Sequence, residues 1–156
     1  MIAYQKKIEC FTEQDTKSLA EKISEIAQKG DVFALYGTLG AGKSTFARYF
    51  IQHLTAAKDV PSPTFTLVQT YETSAFDIYH YDMYRLKSPE EAYELDIEDA
   101  FYSGVSLIEW PEKVSSLLPR DLWKISIETS GNSRIFNIEV TNPEKKQRLE
   151  RQFLNE

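Results

Sequence analysis

Cysteine and histidine are scarce in this sequence, with Cys10 alone among 156 residues and only two histidines, His53 and His80. A disulfide needs two thiols, and a zinc cluster needs several Cys or His ligands, so we expect neither an internal disulfide nor a structural metal. Long apolar runs are missing as well. No stretch reaches the roughly 18 residues of a membrane span, and residues 1–7 lack the apolar core of a signal peptide. We therefore expect a cytoplasmic protein with no membrane contact.

Positive charge is in deficit, because 18 Lys and Arg against 24 Asp and Glu give a net charge of −6. Tight binding to a nucleic-acid backbone needs clustered cations, so the chain is not expected to bind nucleic acid strongly by itself. The local exception, residues 144–151, mixes basic with acidic residues, which predicts a solvated helix face. The length and the 42% hydrophobic content predict one domain spanning residues 1–156.

Glycine is also infrequent, with six residues, yet three of the six fall within residues 37–45, which read G-T-L-G-A-G-K-S-T. This stretch matches the phosphate-binding pattern G-x-x-x-x-G-K-[ST]. The apolar run 32–36 before it predicts a buried strand, and residues 44–54 after it predict a helix. Because a phosphate-binding loop joins a strand to a helix, this context supports the motif far more than the pattern alone.

The motif assigns a role to each of its residues. Backbone N–H groups that line the loop and the helix N-terminus would bind phosphate oxygens, and these belong to Gly37, Gly40, Ala41 and Gly42. Lys43 is predicted to reach the β- and γ-phosphates, and the Ser44 hydroxyl is predicted to bind Mg²⁺. The alternative is a glycine-rich turn that binds nothing, which the lysine and hydroxyl in register make improbable.

The remaining pattern predicts an α/β fold of the P-loop NTPase type, a three-layer sandwich with a mixed, mainly parallel sheet. Apolar strands at 32–36 and 105–108 are expected to be parallel and covered by helices. Further strands are predicted at 8–11, 65–71 and 76–81, and a C-terminal β-hairpin at 122–141 turns at residues 130–133. Helices are predicted from Thr12 to a stop at Gly30, and after Ser88, before Pro119 and after Pro143.

Two carboxylates are candidates for the metal side of this site. Glu109 follows the strand 105–108, at the carboxyl edge of the sheet where ligands bind, and could hold Mg²⁺ through water or polarise the attacking water. Asp82 follows the strand 76–81 and is the second candidate, with a helix cap or an ion pair to Arg85 as its alternative. Thr64 and Thr66 occupy a Pro-rich loop, expected to be extended, where a hydroxyl could sense the γ-phosphate or simply stabilise the turn.

Other residues and patterns say less about the function. For His80 we favour a packed or capping side chain, and for Trp110 a core position. The N-K-x-D and T-K-x-D patterns of guanine recognition do not occur. An arginine-rich lid is also missing from the sequence, which weakens a small-molecule kinase as the alternative function. A nucleotide-gated binding module without useful hydrolysis remains a third class.

Four ordered motifs resemble the TsaE family of bacterial ATPases of tRNA threonylcarbamoyladenosine (t6A) biosynthesis. They are the loop 37–45, S-P-T-F-T-L-V at 62–68, H-Y-D-M-Y-R-L at 80–86 and I-E-W at 108–110. The resemblance covers residues 12 to 141 in order. It implies an ATPase that acts with a complex of the TsaD and TsaB proteins and reaches tRNA indirectly through that complex.

The resemblance also implies roles for particular residues. ATP and Mg²⁺ are the implied cofactors, with Lys43 and Ser44 on phosphate and metal and Thr45 as an adjoining phosphate contact. Glu109 resembles the metal-side acid, residues 62–66 resemble a switch-like loop, and Asp82 and Arg85 match the H-x-D-x-Y-R segment. The helix entry at 12–16, with Thr12, and Arg134 are implied to lie near the nucleotide. Because no arginine finger is evident, a low intrinsic rate is expected.

Overall fold

The computed structural model describes residues 4–38 and 40–154; residue 39 of the phosphate-binding loop lies outside the described residues, as do the two chain ends. The strands are β1 (Tyr4–Cys10), β2 (Val32–Tyr36), β3 (Val68–Glu72), β4 (Asp77–Asp82), β5 (Gly104–Glu109), β6 (Trp123–Ser130) and β7 (Ser133–Val140). The α-helices are α1 (Glu13–Glu25), α2 (Lys43–Leu54), α3 (Ile97–Ser103) and α4 (Pro143–Gln152), and two 3₁₀ helices span Pro89–Leu95 and Pro111–Leu117.

One sheet of seven strands has the order β1-β7-β6-β2-β5-β4-β3. Its four central strands, β6, β2, β5 and β4, run parallel to one another, whereas the pairs β1–β7, β7–β6 and β4–β3 are antiparallel. The predicted mixed α/β sheet is confirmed, and so is the C-terminal hairpin, which is β6 and β7. The parallel strands form the centre of the sheet, and the antiparallel pairs lie towards its edges.

Helices cover both faces of the sheet. Leu19 and Ile23 on α1, and Phe46 and Phe50 on α2, recur four residues apart, so each pair lies on one side of its helix and packs on the sheet beside Phe33. Burying each of these side chains contributes about 1.5–3 kcal/mol. The opposite face carries a second apolar cluster beneath α3 and the 3₁₀ helices. The result is the expected three-layer arrangement.

The central strands β2 and β5 position the predicted ligand-binding residues. Residues 32–35 of β2 and all of β5 are buried, as the continuous apolar runs predicted. The two strands are parallel, and Leu35 pairs with Glu109. The chain leaving β2 at Gly37 therefore begins next to the Glu109 side chain.

Three predicted boundaries are wrong. The strand predicted at 8–11 spans Tyr4–Cys10, because residues 4–7 also pair with β7. The strand predicted from residue 65 begins at Val68, because residues 63–66 form a turn closed by a 2.6 Å bond from Leu67 N–H to the Pro63 carbonyl, with Leu67 at φ 71°. The Pro-rich loop is therefore extended only up to this turn. Helix α1 ends at Glu25 rather than near Gly30, because Ile26 leaves helical geometry and caps the last turn.

The C-terminal helix α4 differs from the predicted solvated face. Lys145 and Leu149, four residues apart, are both buried, and Arg148 reaches Asp31 at 2.7 Å. One side of the helix therefore packs on the protein through cation stems and a leucine, while the other side stays exposed. In the described part of the chain, no helix is long and apolar enough to span a membrane.

Candidate active site

A cleft of about 390 Å³ opens at the carboxyl ends of β2, β4 and β5. Residues from six segments line it, and they are Cys10, Phe11, Thr12, Glu13, Thr16, Gly40, Gly42, Lys43, Ser44, Thr45, Thr64, Asp82, Glu109, Trp110, Asn132 and Arg134. One end holds Lys43, Ser44 and the two candidate carboxylates, and the other is bounded by the start of α1 and the β6–β7 turn. The cleft thus has a charged inner end and an outer rim.

The loop between β2 and α2 has the backbone that phosphate binding requires. Gly40 and Gly42 have φ values of 79° and 114°, which residues with a Cβ rarely adopt. Gly37 has φ 155°, and a Cβ there would lie 2.9 Å from the Ile127 carbonyl oxygen. Helix α2 begins at Lys43 without a side-chain cap at Gly42, so N–H groups of its first turn are available to an anion.

Lys43 is buried beneath this loop, with 5% of its surface exposed. Its ammonium donates to the Gly37 carbonyl and lies 3.6 Å from the centre of the Trp110 ring. Burial lowers its pKa, outweighing the opposite effect of the Glu109, Glu112 and Asp82 carboxylates. Within the described residues its contacts are a carbonyl and an aromatic face rather than an ion pair, so this cation can still bind an anion.

Glu109 connects the loop helix to the sheet. The side chain is buried, Oε1 accepts a 2.8 Å hydrogen bond from Ser44 Oγ, and Oε2 lies 2.7 Å from His80 Nε2. Neither partner is a lysine or an arginine, so a hydroxyl and an imidazole hold the carboxylate in place. This places a hydroxyl and a carboxylate side by side, two of the oxygen ligands that Mg²⁺ prefers.

Asp82 lies beside Glu109 because the two residues are paired in neighbouring parallel strands. Paired residues point to the same face of a sheet, so both carboxylates reach the cleft. Thr64 Oγ donates to Asp82 Oδ2 at 2.9 Å, and the Tyr84 N–H donates to Oδ1 at 3.0 Å. Neither of the alternatives, a helix cap or an ion pair with Arg85, is what holds Asp82; instead, Asp82 caps a turn and contacts the predicted switch threonine.

The outer rim contains the two residues assigned by resemblance alone. Thr12 caps α1, accepting from the Asp15 N–H at 3.1 Å while Asp15 accepts from the Thr12 N–H. Arg134 follows the β6–β7 turn and donates to the Gly40 carbonyl at 3.3 Å. Arg134 on β7 therefore contacts the glycine loop, and Thr12, which follows β1, lines the same cleft.

Some predicted residues lie away from the cleft walls. Thr66 is exposed and accepts from Gln69 at 3.0 Å. Arg85 is exposed, with its guanidinium 5.2 Å from the centre of the Phe65 ring. Gly37 and Ala41 shape the loop from behind without lining the cavity. Within the described residues, no group of three or more His, Cys, Asp or Glu could hold a metal by itself, so a cation here would need phosphate or water oxygens.

The sequence did not predict some of the residues that line the cleft. Phe11 and Asn132 lie on the rim, with Phe11 66% exposed, although nothing local distinguishes them from other loop residues. Trp110 was expected in the core but lines the cleft over Lys43. His80 is packed, as expected, yet its partner is Glu109. A signal was available for Trp110, because it follows a strand-end acid directly.

A model of the family described as "Threonylcarbamoyl adenosine biosynthesis protein TsaE" matches residues 10–136. The chain belongs to the TsaE family. The matched range contains every residue that lines the cleft, whereas α4 lies beyond it. Membership of this family therefore rests on the same part of the chain that forms the site.

Individual relatives agree with this assignment. The tRNA threonylcarbamoyladenosine biosynthesis protein TsaE of Rickettsia felis is 46% identical over 132 residues, covering 83% of this chain and 77% of the relative. The protein of the same name from Bacillus subtilis is 36% identical, covering 76% and 75% of the two chains. A crystal structure of Bacillus subtilis YdiB superposes with a TM-score of 0.79 at 26% identity, covering 97% of this chain and 96% of that one. This structural likeness confirms the α/β fold.

Proposed function

We propose that the protein is a Mg²⁺-dependent ATPase required for t6A modification of tRNA, acting with a TsaB–TsaD transferase complex. The observation that carries the ATPase proposal is the 2.8 Å bond from Ser44 Oγ to Glu109, which joins the phosphate-binding loop to the end of β5. A hydroxyl that donates its hydrogen to a carboxylate keeps its lone pairs directed elsewhere. Ser44 can therefore contact a metal ion and Glu109 at the same time.

Different residues of the cleft would bind different parts of Mg²⁺-ATP. The glycine loop and the α2 N-terminus would bind the phosphate chain, with Lys43 on the β- and γ-phosphates and Thr45 adjoining. Ser44, Glu109 and Asp82 would hold Mg²⁺, which supplies charge neutralisation on the phosphates during transfer to water. Glu109, fixed by two hydrogen bonds, can orient either a metal-bound water or the attacking water.

The rim would take the nucleoside. If the phosphates bind at the inner end of the cleft, the base and sugar would lie between the start of α1 and the β6–β7 turn. Thr12, Asn132 and Arg134 line this part of the cleft and offer polar atoms. Phe11 offers an exposed aromatic face beside them. Stacking of a base on such a ring contributes about 1–3 kcal/mol and explains binding without a guanine motif.

A low intrinsic rate is part of the proposal. Arg134 is held at the Gly40 carbonyl, at the rim, and Arg85 stacks on Phe65 outside the cleft. In the described residues no guanidinium therefore lies beside Glu109, where transition-state charge would develop, and an added cation can raise phosphoryl-transfer rates by about 10³–10⁵. Stimulation by partner proteins fits this arrangement.

The biological role is proposed from the names of the relatives, which are called t6A biosynthesis proteins. Contact with tRNA is expected to be indirect, through the TsaB–TsaD complex, because the chain carries a net charge of −6. The experiment measures ATP binding and hydrolysis by the purified chain with and without TsaB and TsaD. It compares wild type with Lys43→Ala, Glu109→Gln and a matched control, Glu128→Gln, an exposed acid on β6.

Turnover that rises with the partners, is lost in the first two variants and is retained in Glu128→Gln supports the proposal. Absence of ATP binding, or turnover that ignores both the partners and Glu109, contradicts it. Consumption of ATP that depends on an added small-molecule acceptor would instead indicate a kinase. Full support of t6A formation by Glu109→Gln would indicate a nucleotide-gated binding module.

A further inference from the structure

His80 is a buried histidine that the proposed ATP site does not use directly. It lies on β4 two residues before Asp82, is 1% exposed and does not line the cleft. Its Nε2 is nevertheless 2.7 Å from Glu109 Oε2. Any influence of His80 on the reaction must therefore pass through Glu109.

The surroundings of the imidazole determine which nitrogen carries the proton. Nδ1 is buried, and no hydrogen-bond partner for it exists in the described part of the chain. A proton on Nδ1 would leave a buried donor unsatisfied, at a cost of about 1–3 kcal/mol, whereas a proton on Nε2 is donated to Glu109. The geometry assigns the proton to Nε2.

We propose that His80 is a positioning residue that holds Glu109 in the orientation needed for Mg²⁺-ATP. Ser44 donates to Oε1 and His80 to Oε2, so two donors on opposite oxygens fix the plane of the carboxylate. With Ser44 alone, the carboxylate can rotate about its last torsion. This inference rests on the proposed function and adds a residue to it.

The neighbouring cation shows why such fixation matters. Lys43 is buried without an ion pair among the described residues, and the Glu109 charge attracts it. A Glu109 released from His80 would relax towards the Lys43 ammonium, occupying the space of the phosphates and leaving the metal side. Outer partners that orient a metal-binding group typically contribute 10–100-fold to metal affinity or activity.

Two substitutions separate positioning from packing. In His80→Gln the side-chain amide keeps an N–H donor close to the position of Nε2, whereas His80→Phe keeps a planar ring without any donor. The first measurement is the affinity for ATP as a function of Mg²⁺ concentration, with EDTA as the metal-free reference, followed by kcat and KM. His80→Phe is expected to need about tenfold more Mg²⁺ and to lose about tenfold in kcat, with metal-free ATP affinity within about twofold of wild type. His80→Gln should recover to within about threefold of wild type.

A measurement without nucleotide tests the hydrogen bond itself. The chain has only two histidines, so a His53→Gln variant assigns their imidazole ¹⁵N resonances. Wild type should show a protonated Nε2 and an unprotonated Nδ1 for His80, and a proton on Nδ1 would overturn the inference. Equal losses in both His80 variants, together with a lowered unfolding midpoint in both, would indicate packing alone and would also overturn it.

The proposed function and this inference fail separately. If wild type shows no Mg²⁺-dependent ATP binding, the proposed function is overturned and the inference with it. If wild type binds Mg²⁺-ATP and His80→Phe has the same Mg²⁺ requirement and kcat, only the inference is overturned.

Discussion

A buried charged group lies near each end of strand β2, and the two groups differ in whether an opposite charge contacts them. Asp31, immediately before the strand, is 4% exposed and is bound by Arg148 through two nitrogens, at 2.7 and 3.2 Å. Lys43, beyond the other end, is 5% exposed and contacts the Gly37 carbonyl and the Trp110 ring. The first charge is paired with an opposite charge inside the fold, whereas Lys43 forms no ion pair among the described residues.

This difference separates stability from binding. A buried charge costs free energy unless an opposite charge and good hydrogen bonds compensate it, so the Asp31 end is complete without a ligand. At the Lys43 end the described residues supply no ion pair, and the phosphate chain of ATP is the anion that would supply one. Glu109 likewise has no lysine or arginine ion pair among the described residues, and its hydrogen-bond partners are Ser44 and His80.

The largest effect on stability is expected from Arg148→Met. The substitution leaves Asp31 buried with the Gln28 N–H and a distant Lys145, and it removes a guanidinium 5.3 Å from the Trp123 ring. Breaking a buried pair in this way costs about 3–5 kcal/mol, measured as the free energy of unfolding in urea. ATP affinity at low temperature, where the variant stays folded, should remain within about twofold of wild type. A stability change below about 1 kcal/mol would show that the Asp31 end is not a stabilising pair.

Glu109→Gln is expected to have the reverse profile. The amide keeps the side-chain volume and can still accept from Ser44, but its NH2 group then faces His80 Nε2. The free energy of unfolding should therefore fall by no more than the cost of one unsatisfied buried donor, about 1–3 kcal/mol. Turnover should fall about 100-fold, equivalent to about 2.7 kcal/mol of transition-state stabilisation. Single-turnover hydrolysis measured beside urea unfolding tests both halves. Loss of stability comparable with that in Arg148→Met would remove the contrast between the two ends.

The sequence predicts one of these ends much better than the other. The loop 37–45 and Glu109 are identifiable because each is a local pattern at the end of an apolar run. The Asp31–Arg148 pair joins residues 117 positions apart, and a local reading of α4 predicted solvent exposure instead. His80 follows the same logic, since its partner is 29 positions away on another strand. Contacts set by strand order and helix packing have no local signature.

A smaller effect, of opposite sign, is expected from Lys43→Met. Removing a buried cation that has no ion pair among the described residues should stabilise the nucleotide-free protein at pH 7, by about 1 kcal/mol, while abolishing ATP binding. Burial lowers the pKa of Lys43 below its unfolded value of 10.5, so the unfolded chain binds more protons in the window between the two values. The stability of wild type should therefore rise with pH across that window relative to the variant, and the difference should vanish above 10.5. Unfolding midpoints from pH 7 to 11 check this; a destabilised variant at pH 7 would show that the carbonyl and ring contacts already compensate the charge.

The smallest effect is expected from Lys145→Met, which tests how much Lys145 and Arg148 each stabilise the buried Asp31. Lys145 is 3.8 Å from Asp31 and 3.0 Å from the half-exposed Asp121, whereas Arg148 contacts both oxygens of Asp31. The methionine keeps the buried apolar stem of the lysine, and Asp31 retains its bidentate partner. The loss should therefore be about 0.5 kcal/mol, as for a partly solvated pair, with no change in Mg²⁺-ATP affinity. A loss equal to that of Arg148→Met would mean that the network acts as one unit, and the double variant would then cost no more than either single change.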